Sequence, residues 1–333
     1  MNNAMRDCLT LFADNVGAIK NDFNWHGGAI KRLAAFVYTL EGKRVDVDAI
    51  KESLDLIKSE TGIFSAFRGM LAVYMAAALS LAERPDQLLR GTVNIYDDLK
   101  RDGFWTGEYL ALSAFEIAVN AKPADHAKII SRSRDFYNEM KANHRFIMSR
   151  DNYIYAAMFA LSDMDPRQAA NKLKRLYQQL KSKFSIFMSR GSVLTLSKML
   201  VLGESTDECV LRLLRLNANL RHNKIRLDRS LTLPALGVLG MLDADSSGLV
   251  NDIIEARDFL RSQKGFGPLS VCTQELLLFA VSMVVKAYAD DIAHGVMKPK
   301  LTTKITNLII AQQMAIIIAM ISTSAAMAAS SGC

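Results

Sequence analysis

The sequence predicts an all-α protein, built as an array of helical hairpins. Composition and internal periodicity both indicate this class. The chain has 333 residues, half of them hydrophobic, with only 6 prolines and 18 glycines. Few helix breakers in an apolar chain favour helices, and this length is ample for a large buried core. Alternating strand-like patterns are nearly missing, so we expect little or no β-sheet.

A repeat of about 41 residues runs through the chain. Seven apolar helices each follow an anchor residue, and the anchors are spaced by 39 to 42 residues. The anchors are Phe23, Phe64, Phe104, Phe146, Phe187, Leu227 and Phe266. A second helix in each of the first six units closes on an apolar residue followed by a base. These bases are Lys58, Lys100, Lys141, Lys181, Arg221 and Arg261. Basic residues suit the C-terminus of a helix because they oppose its dipole.

Two helices per period make a helical hairpin, and stacked hairpins of this length form repeat arrays. We therefore expect about seven repeats in an open, right-handed α-solenoid superhelix. A closed α/α toroid is the alternative. Residues 1–22 are predicted to be an N-terminal cap helix, residues 23–300 the array, and residues 301–333 a C-terminal apolar cap helix or tail.

Net positive charge is concentrated in the middle of the chain. The whole sequence carries a net charge of +7, whereas residues 141–231 contain 17 basic and 7 acidic side chains. The four cysteines are isolated from one another, with no paired or metal-like spacing. Together with the absence of a secretory N-terminus, they predict a reducing cytoplasm.

The segments FNWHGGAIKRLAAFVYTLE and TGIFSAFRGMLAVYMAAAL, together with the Ala-rich ending, resemble a known family. The chain is similar to the uncharacterised bacterial proteins grouped as DUF4003, over nearly its whole length. The resemblance implies no activity, substrate or catalytic residue, because none is assigned in that family.

The strongest candidate for a functional surface is a basic block on the second helices of two consecutive repeats. It comprises Lys172, Lys174, Arg175, Lys181, Lys183, Arg212, Arg215, Arg221, Lys224 and Arg226. Stacking of repeats places successive second helices side by side, so we expect one contiguous positive surface. Such a surface binds phosphate backbones or acidic partners, although an ordinary solvated face would have the same composition.

An arginine column forms a second candidate. Arg68, Arg150, Arg190 and Arg229 each lie shortly after an anchor, and Glu108 occupies the equivalent place in one repeat. A cation near a helix N-terminus opposes the dipole, so helix propensity does not explain the column. The favoured interpretation is a ladder that binds acids or carbonyls of the adjacent hairpin. The alternative is a ladder that binds an anionic ligand.

Motifs for catalysis, metal or cofactor binding are missing, so we expect no catalytic residue, metal or cofactor. Trp25-His26-Gly27-Gly28 is the most enzyme-like string, but it coincides with the start of a repeat and is interpreted as structural. No other histidine has a second histidine three or four residues away, as a helical metal site requires. The missing motifs favour a protein that is not an enzyme.

The uncharged stretch 308–329 is long enough to span a bilayer. Its polar residues fall on one narrow stripe, however, and its alanines insert weakly, so a closing helix is favoured over a membrane anchor. We therefore expect a cytoplasmic, non-enzymatic binding or scaffold protein that uses its basic surface to contact an unidentified partner, either an acidic protein or nucleic acid. A nucleic-acid-binding or nucleic-acid-processing repeat protein is the alternative, and membrane association through 308–329 is a further one.

Overall fold

The computed structural model describes residues 2–144, 147–184, 189–242 and 244–294, which form α-helices and two short 3-10 helices, with no strand among them. The all-α prediction is confirmed. The helices are α1 Asn3–Ile19, α2 Gly28–Leu40, α3 Val47–Glu60, α4 Ala72–Ser80, α5 Pro85–Arg101, α6 Glu108–Asn120, α7 His126–His144, α8 Asn152–Leu161, α9 Pro166–Lys181, α10 Arg190–Leu202, α11 Asp207–His222, α12 Leu233–Met241, α13 Ser246–Ser262 and α14 Thr273–His294.

Two kinds of helix alternate along the chain. Odd-numbered helices such as α5 are amphipathic, and bury one stripe that includes Leu89, Ile95 and Leu99. Even-numbered helices such as α8 and α12 are apolar on every side and are buried along nearly their whole length. A helix that is hydrophobic all round must be enclosed by other elements, whereas a striped helix faces solvent on its polar side.

The described residues divide into two compact units. The N-terminal unit contains residues 18–174 and therefore α2 to α8. Its even helices pack side by side, as α2 with α4 and α6 with α8, and the odd helices α3, α5 and α7 pack against α4, α6 and α8 respectively. The hydroxyl groups of Tyr38 and Ser80 lie 2.7 Å apart and join the C-terminal ends of α2 and α4. These two helices therefore run in the same direction.

Aromatic packing strengthens the centre of the N-terminal unit. Phe104, Tyr137 and Tyr153 surround one another, with ring centroids 4.9 to 5.6 Å apart. The phenylalanine follows α5, and the two tyrosines come from α7 and α8. Edge-on and tilted aromatic contacts of this kind contribute beyond the apolar area that they bury. The cluster fixes the connection between α5 and α6 against helices α7 and α8.

The C-terminal unit contains residues 2–17 together with the described residues from 175 to 294. Helix α1 belongs to it through Phe12, whose ring lies 5.5 Å from Phe266 and 5.0 Å from Phe279. Helix α12 packs closely on α10 and α11. A Cβ atom at Gly240 would lie 2.7 Å from the Cβ of Leu213, so this close approach requires glycine.

The boundaries predicted at residues 22/23 and 300/301 are not tested by this division, and residues 301–333 lie outside the described part of the chain. Of the anchor residues, Phe104 and Phe266 are buried, whereas Phe64 is fully exposed. Phe146 and Phe187 are also outside the described residues.

Glu116 is a buried carboxyl group on α6. Burial raises the pKa of Glu116 from 4.5 to about 7, although the Asn120 amide donates a hydrogen bond to it at 3.2 Å. Because the native pKa lies above the unfolded value, the contribution of Glu116 to stability is most favourable below pH 4.5 and falls as the pH rises to 7. The loss reaches about 3 kcal/mol.

We expect the Glu116→Gln variant to remove this fall. Urea unfolding of both proteins across this pH range measures it, since the stability of the variant relative to the wild type should grow as the pH rises. Parallel stability profiles would show that the pKa of Glu116 is the same in the folded and unfolded states, and would contradict the expectation.

Cys8 and Cys272 should differ sharply in reactivity. Burial raises the pKa of the Cys8 thiol to about 11, and its sulfur lies 3.3 Å from that of Met283. Cys272 is exposed. Because the thiolate is the reactive form, iodoacetamide at about pH 8 should modify Cys272 first and Cys8 only after unfolding. Site-resolved mass spectrometry, with Cys272→Ser as control, measures both rates. Equal rates at the two cysteines in the folded protein would contradict the expectation.

Candidate functional site

Eight of the ten predicted basic-surface residues are exposed to solvent. They lie on or just after α9 and α11, whereas Lys172 and Arg212 are half-buried. The exposed set is Lys174, Arg175, Lys181, Lys183, Arg215, Arg221, Lys224 and Arg226. On α11 the buried stripe includes Val210, Leu213 and Leu220, which leaves the polar face to the bases. The amphipathic pattern of the helix therefore accounts for their exposure.

The division between the two compact units falls inside α9, between Lys174 and Arg175. Lys172 and Lys174 consequently belong to the N-terminal unit, and the other eight bases belong to the C-terminal unit. Contiguity of all ten side chains stays a prediction.

Few carboxylates neutralise the exposed bases. Asp228 accepts hydrogen bonds from Arg226 at 2.7 and 3.2 Å and lies 3.6 Å from Arg221. Within the described part of the chain, Arg215 and Lys224 make no hydrogen bond or ion pair through their side chains. These cations remain hydrated and can exchange water for an anionic partner.

Arg212 has a structural contact instead. Its guanidinium donates a hydrogen bond of 2.7 Å to the carbonyl of Leu242, at the C-terminus of α12. Arg132 does the same for α8, where it binds the carbonyls of Ala160 and Ser162 at 3.1 and 2.8 Å. The last carbonyls of a helix have no partner within the helix, so a cation there satisfies them and complements the dipole.

These contacts belong to a column that the sequence reasoning missed. Arg132, Lys172, Arg212 and Asp252 recur at intervals of 40 residues. Asp252 also faces the next even helix, because it accepts a hydrogen bond of 2.8 Å from Tyr288 on α14. The spacing alone could have revealed the column. The column is hard to recognise because its residues change from basic to acidic along the chain.

The four arginines of the predicted column make different contacts. Arg68 donates to the Thr61 hydroxyl at 3.2 Å and to the carbonyls of Lys58 and Thr61, at the C-terminal end of α3. Arg150 lies over the indole ring of Trp105, 5.6 Å from its centroid. Arg190 begins α10 with an exposed side chain, and Arg229 is exposed before α12. Arg68 thus contacts the adjacent helix, as the structural interpretation describes.

Glu108, the exception in that column, stabilises the start of α4. Its carboxylate accepts hydrogen bonds from the backbone N–H groups of Met70 and Leu71. Burial raises the pKa of Glu108, and these two hydrogen bonds oppose the shift. A Cβ atom at Gly69 would collide with the carboxylate. Acid at this position suits the positive end of a helix dipole.

A cleft of about 170 Å³ opens beside this contact, at the start of α6. Trp105, Tyr109, Tyr153, Arg150 and Glu108 are among its lining residues. The backbone N–H of Trp105 donates to the Tyr153 hydroxyl at 3.4 Å. The cleft offers aromatic surface and one cation, while its carboxylate is already bound to backbone. This arrangement suits binding rather than acid–base catalysis.

Nothing in the described ranges brings together three or more metal-ligating side chains. His26 is half-buried, and partial burial together with Lys31 lowers its pKa. Among the residues that the structure describes, its Nδ1 atom has no hydrogen-bond partner. Within the same ranges, the helices are too short or too polar to cross a bilayer. The stretch 308–329 lies outside the described residues.

Residues 15–314 match the sequence profile of a family described as a protein of unknown function, DUF4003. The match covers most of the chain and confirms the resemblance found in the sequence. Neither the curated proteins nor the solved structures gave a match.

Arg212 and Arg215 form a matched pair that separates structural from surface bases. We expect Arg212→Ala to lower the free energy of unfolding by about 1–2 kcal/mol, because the Leu242 carbonyl loses a charged donor. Arg215→Ala should change it by less than about 0.5 kcal/mol. Urea unfolding measures both variants. Similar losses in the two would contradict a special role for Arg212.

Proposed function

The chain belongs to the DUF4003 family, which has no assigned activity, and we propose that it is a non-enzymatic binding or scaffold protein. Its basic surface contacts an acidic protein partner. The observation that carries the proposal is the set of exposed bases in the C-terminal unit, where Asp228 pairs with two arginines while Arg215 and Lys224 stay hydrated. A surface of one sign attracts partners of the opposite sign and speeds their association.

A repeat architecture fits this role. In the proposal, the 41-residue hairpins form an array that presents side chains of successive odd helices to an extended partner. The alternation of buried even helices and amphipathic odd helices supports the array, as does the packing of odd on even helices within each unit. The isolated cysteines favour the cytoplasm as its compartment.

A nucleic-acid-binding protein is the second candidate, because phosphate backbones also bind hydrated Lys and Arg side chains. The α9 and α11 sequences lack the aromatic platform on which single-stranded bases stack, apart from Tyr177. Affinity for nucleic acid would fall steeply with salt. This dependence separates the two candidates.

The test is capture of partners from host lysate by the wild-type protein and by the triple variant Lys183→Glu, Arg215→Glu and Lys224→Glu. All three side chains are exposed and belong to the C-terminal unit. We expect the triple variant to recover an acidic protein at least about tenfold less than the wild type, since each reversal replaces attraction by repulsion.

The matched control reverses Lys122, Lys128 and Lys264, which are exposed and lie outside the basic surface. It has the same net charge as the test variant and should retain the partner. Equal losses in the two variants, or an unchanged set of partners, would overturn the proposal. Partners that disappear after nuclease treatment would replace it by the nucleic-acid alternative.

A further inference from the structure

Exposed apolar side chains are concentrated in one kind of connection. Seven large apolar side chains are exposed among the described residues, and five of them lie in loops that directly precede an even-numbered helix. Four of the five belong to the N-terminal unit. They are Trp25, Ile63, Phe64 and Trp105, with exposures of 99%, 78%, 102% and 68%. We call these four residues the apolar loop surface.

Contacts within the N-terminal unit place the three loops at the same end of the helices. The Tyr38–Ser80 hydrogen bond joins the C-terminal ends of α2 and α4, so both helices begin at the opposite end. Glu108, the first residue of α6, binds the backbone N–H of Met70 just before α4. The loops that precede α2, α4 and α6 are therefore neighbours at that end.

Three of the four side chains stand on turns. Trp25 lies within the turn closed by the His26–Phe23 backbone hydrogen bond, and the Ile63–Phe64 pair lies within the turn closed by the Ser65–Gly62 bond. Their exposures of 78% to 102% mean that these three side chains project from the surface, whereas Trp105 also lines the cleft at the start of α6. A projecting apolar residue needs a pocket in a rigid partner, whereas a fluid apolar layer accepts it without one.

Charge pairing at this end leaves two lysines available. The loops 20–27, 58–71 and 100–108 contain four carboxylates, and each has an internal partner. Asp22, Glu60 and Asp102 lie 3.1, 3.2 and 3.5 Å from Lys51, Arg90 and Arg134, and Glu108 binds backbone. Lys20 and Lys100 are exposed and make no side-chain hydrogen bond or ion pair with described residues.

We propose that the apolar loop surface docks on an anionic lipid bilayer, with its apolar side chains at the interface and Lys20 and Lys100 at the lipid headgroups. Tryptophan and lysine prefer the interfacial region, and anionic lipids attract lysine close to the surface. Ile63 favours lipid over single-stranded nucleic acid, because an aliphatic side chain cannot stack on a base. The binding is peripheral and independent of the basic surface.

The two tryptophans of the chain both belong to this surface, so they report on it directly. The experiment measures their emission and the co-sedimentation of the full-length protein with vesicles. The vesicles contain phosphatidylcholine alone or with about one-third phosphatidylglycerol. We expect a blue shift and co-sedimentation with the anionic vesicles. The emission in buffer alone should be that of solvent-exposed indole.

The test variant is Ile63→Ser with Phe64→Ser, which keeps both tryptophans. We expect at least about tenfold weaker partitioning, from the loss of two apolar side chains at the interface. The matched control is Val119→Ser with Leu211→Ser, which removes exposed apolar side chains from helices α6 and α11. It should bind vesicles like the wild type, and circular dichroism should show unchanged helix content in both variants.

Several results would overturn the proposal. These are the absence of a blue shift with anionic vesicles, undiminished binding by the test variant, and equal losses in test and control. Emission that is already blue in buffer would show that another part of the chain or a second copy covers the surface. Quenching by oligothymidine without vesicle binding would assign it to nucleic acid. The triple variant of the basic surface should retain the blue shift, which separates this surface from the proposed partner site.

Discussion

The most apolar even-numbered helices, such as α4, α8 and α12, are buried along nearly their whole length, and this burial constrains the rest of the structure. A helix without water around it cannot leave its terminal N–H and C=O groups to solvent. Neighbouring segments must supply the missing partners. Arg132 and Arg212 do so at the C-termini of α8 and α12, and Glu108 does so at the start of α4. Some charged side chains in this protein thus serve as the hydrogen-bond partners of buried helix ends.

The same requirement explains why two arginines close together on α11 differ in burial. Arg212 has the sequence environment of a surface base, yet it is half-buried and bound to a carbonyl of α12. Arg215, only three residues later, faces solvent. A rotation of about 300° between these positions separates a helix-capping group from a hydrated one. A positive surface and a stable interior can therefore share one amphipathic helix.

The two proposed surfaces differ in chemistry and in location. The basic surface consists of lysines and arginines on or just after the odd helices α9 and α11, and eight of its bases belong to the C-terminal unit. The apolar loop surface consists of projecting rings and aliphatic chains on the loops before even helices of the N-terminal unit. Carboxylates in those loops are engaged internally, which leaves apolar and positive groups outward. A protein that binds an acidic partner at a lipid surface would use both.

The sequence by itself determined the helical class, the family and the basic character of residues 141–231. Apolar periodicity and composition are properties of the sequence itself, so they can be recognised without knowledge of the packing. The sequence also contained the 40-residue column from Arg132 to Asp252, but only the tertiary contacts showed that Arg132, Arg212 and Asp252 face the next even helix. Exposure was likewise decided by tertiary structure. Phe64 and Phe104 are equivalent anchors in the predicted repeat, yet one projects into solvent and the other packs against Tyr137 and Tyr153. Hydrophobicity determines the free-energy cost of exposing a side chain, whereas its neighbours in space determine whether the side chain is exposed.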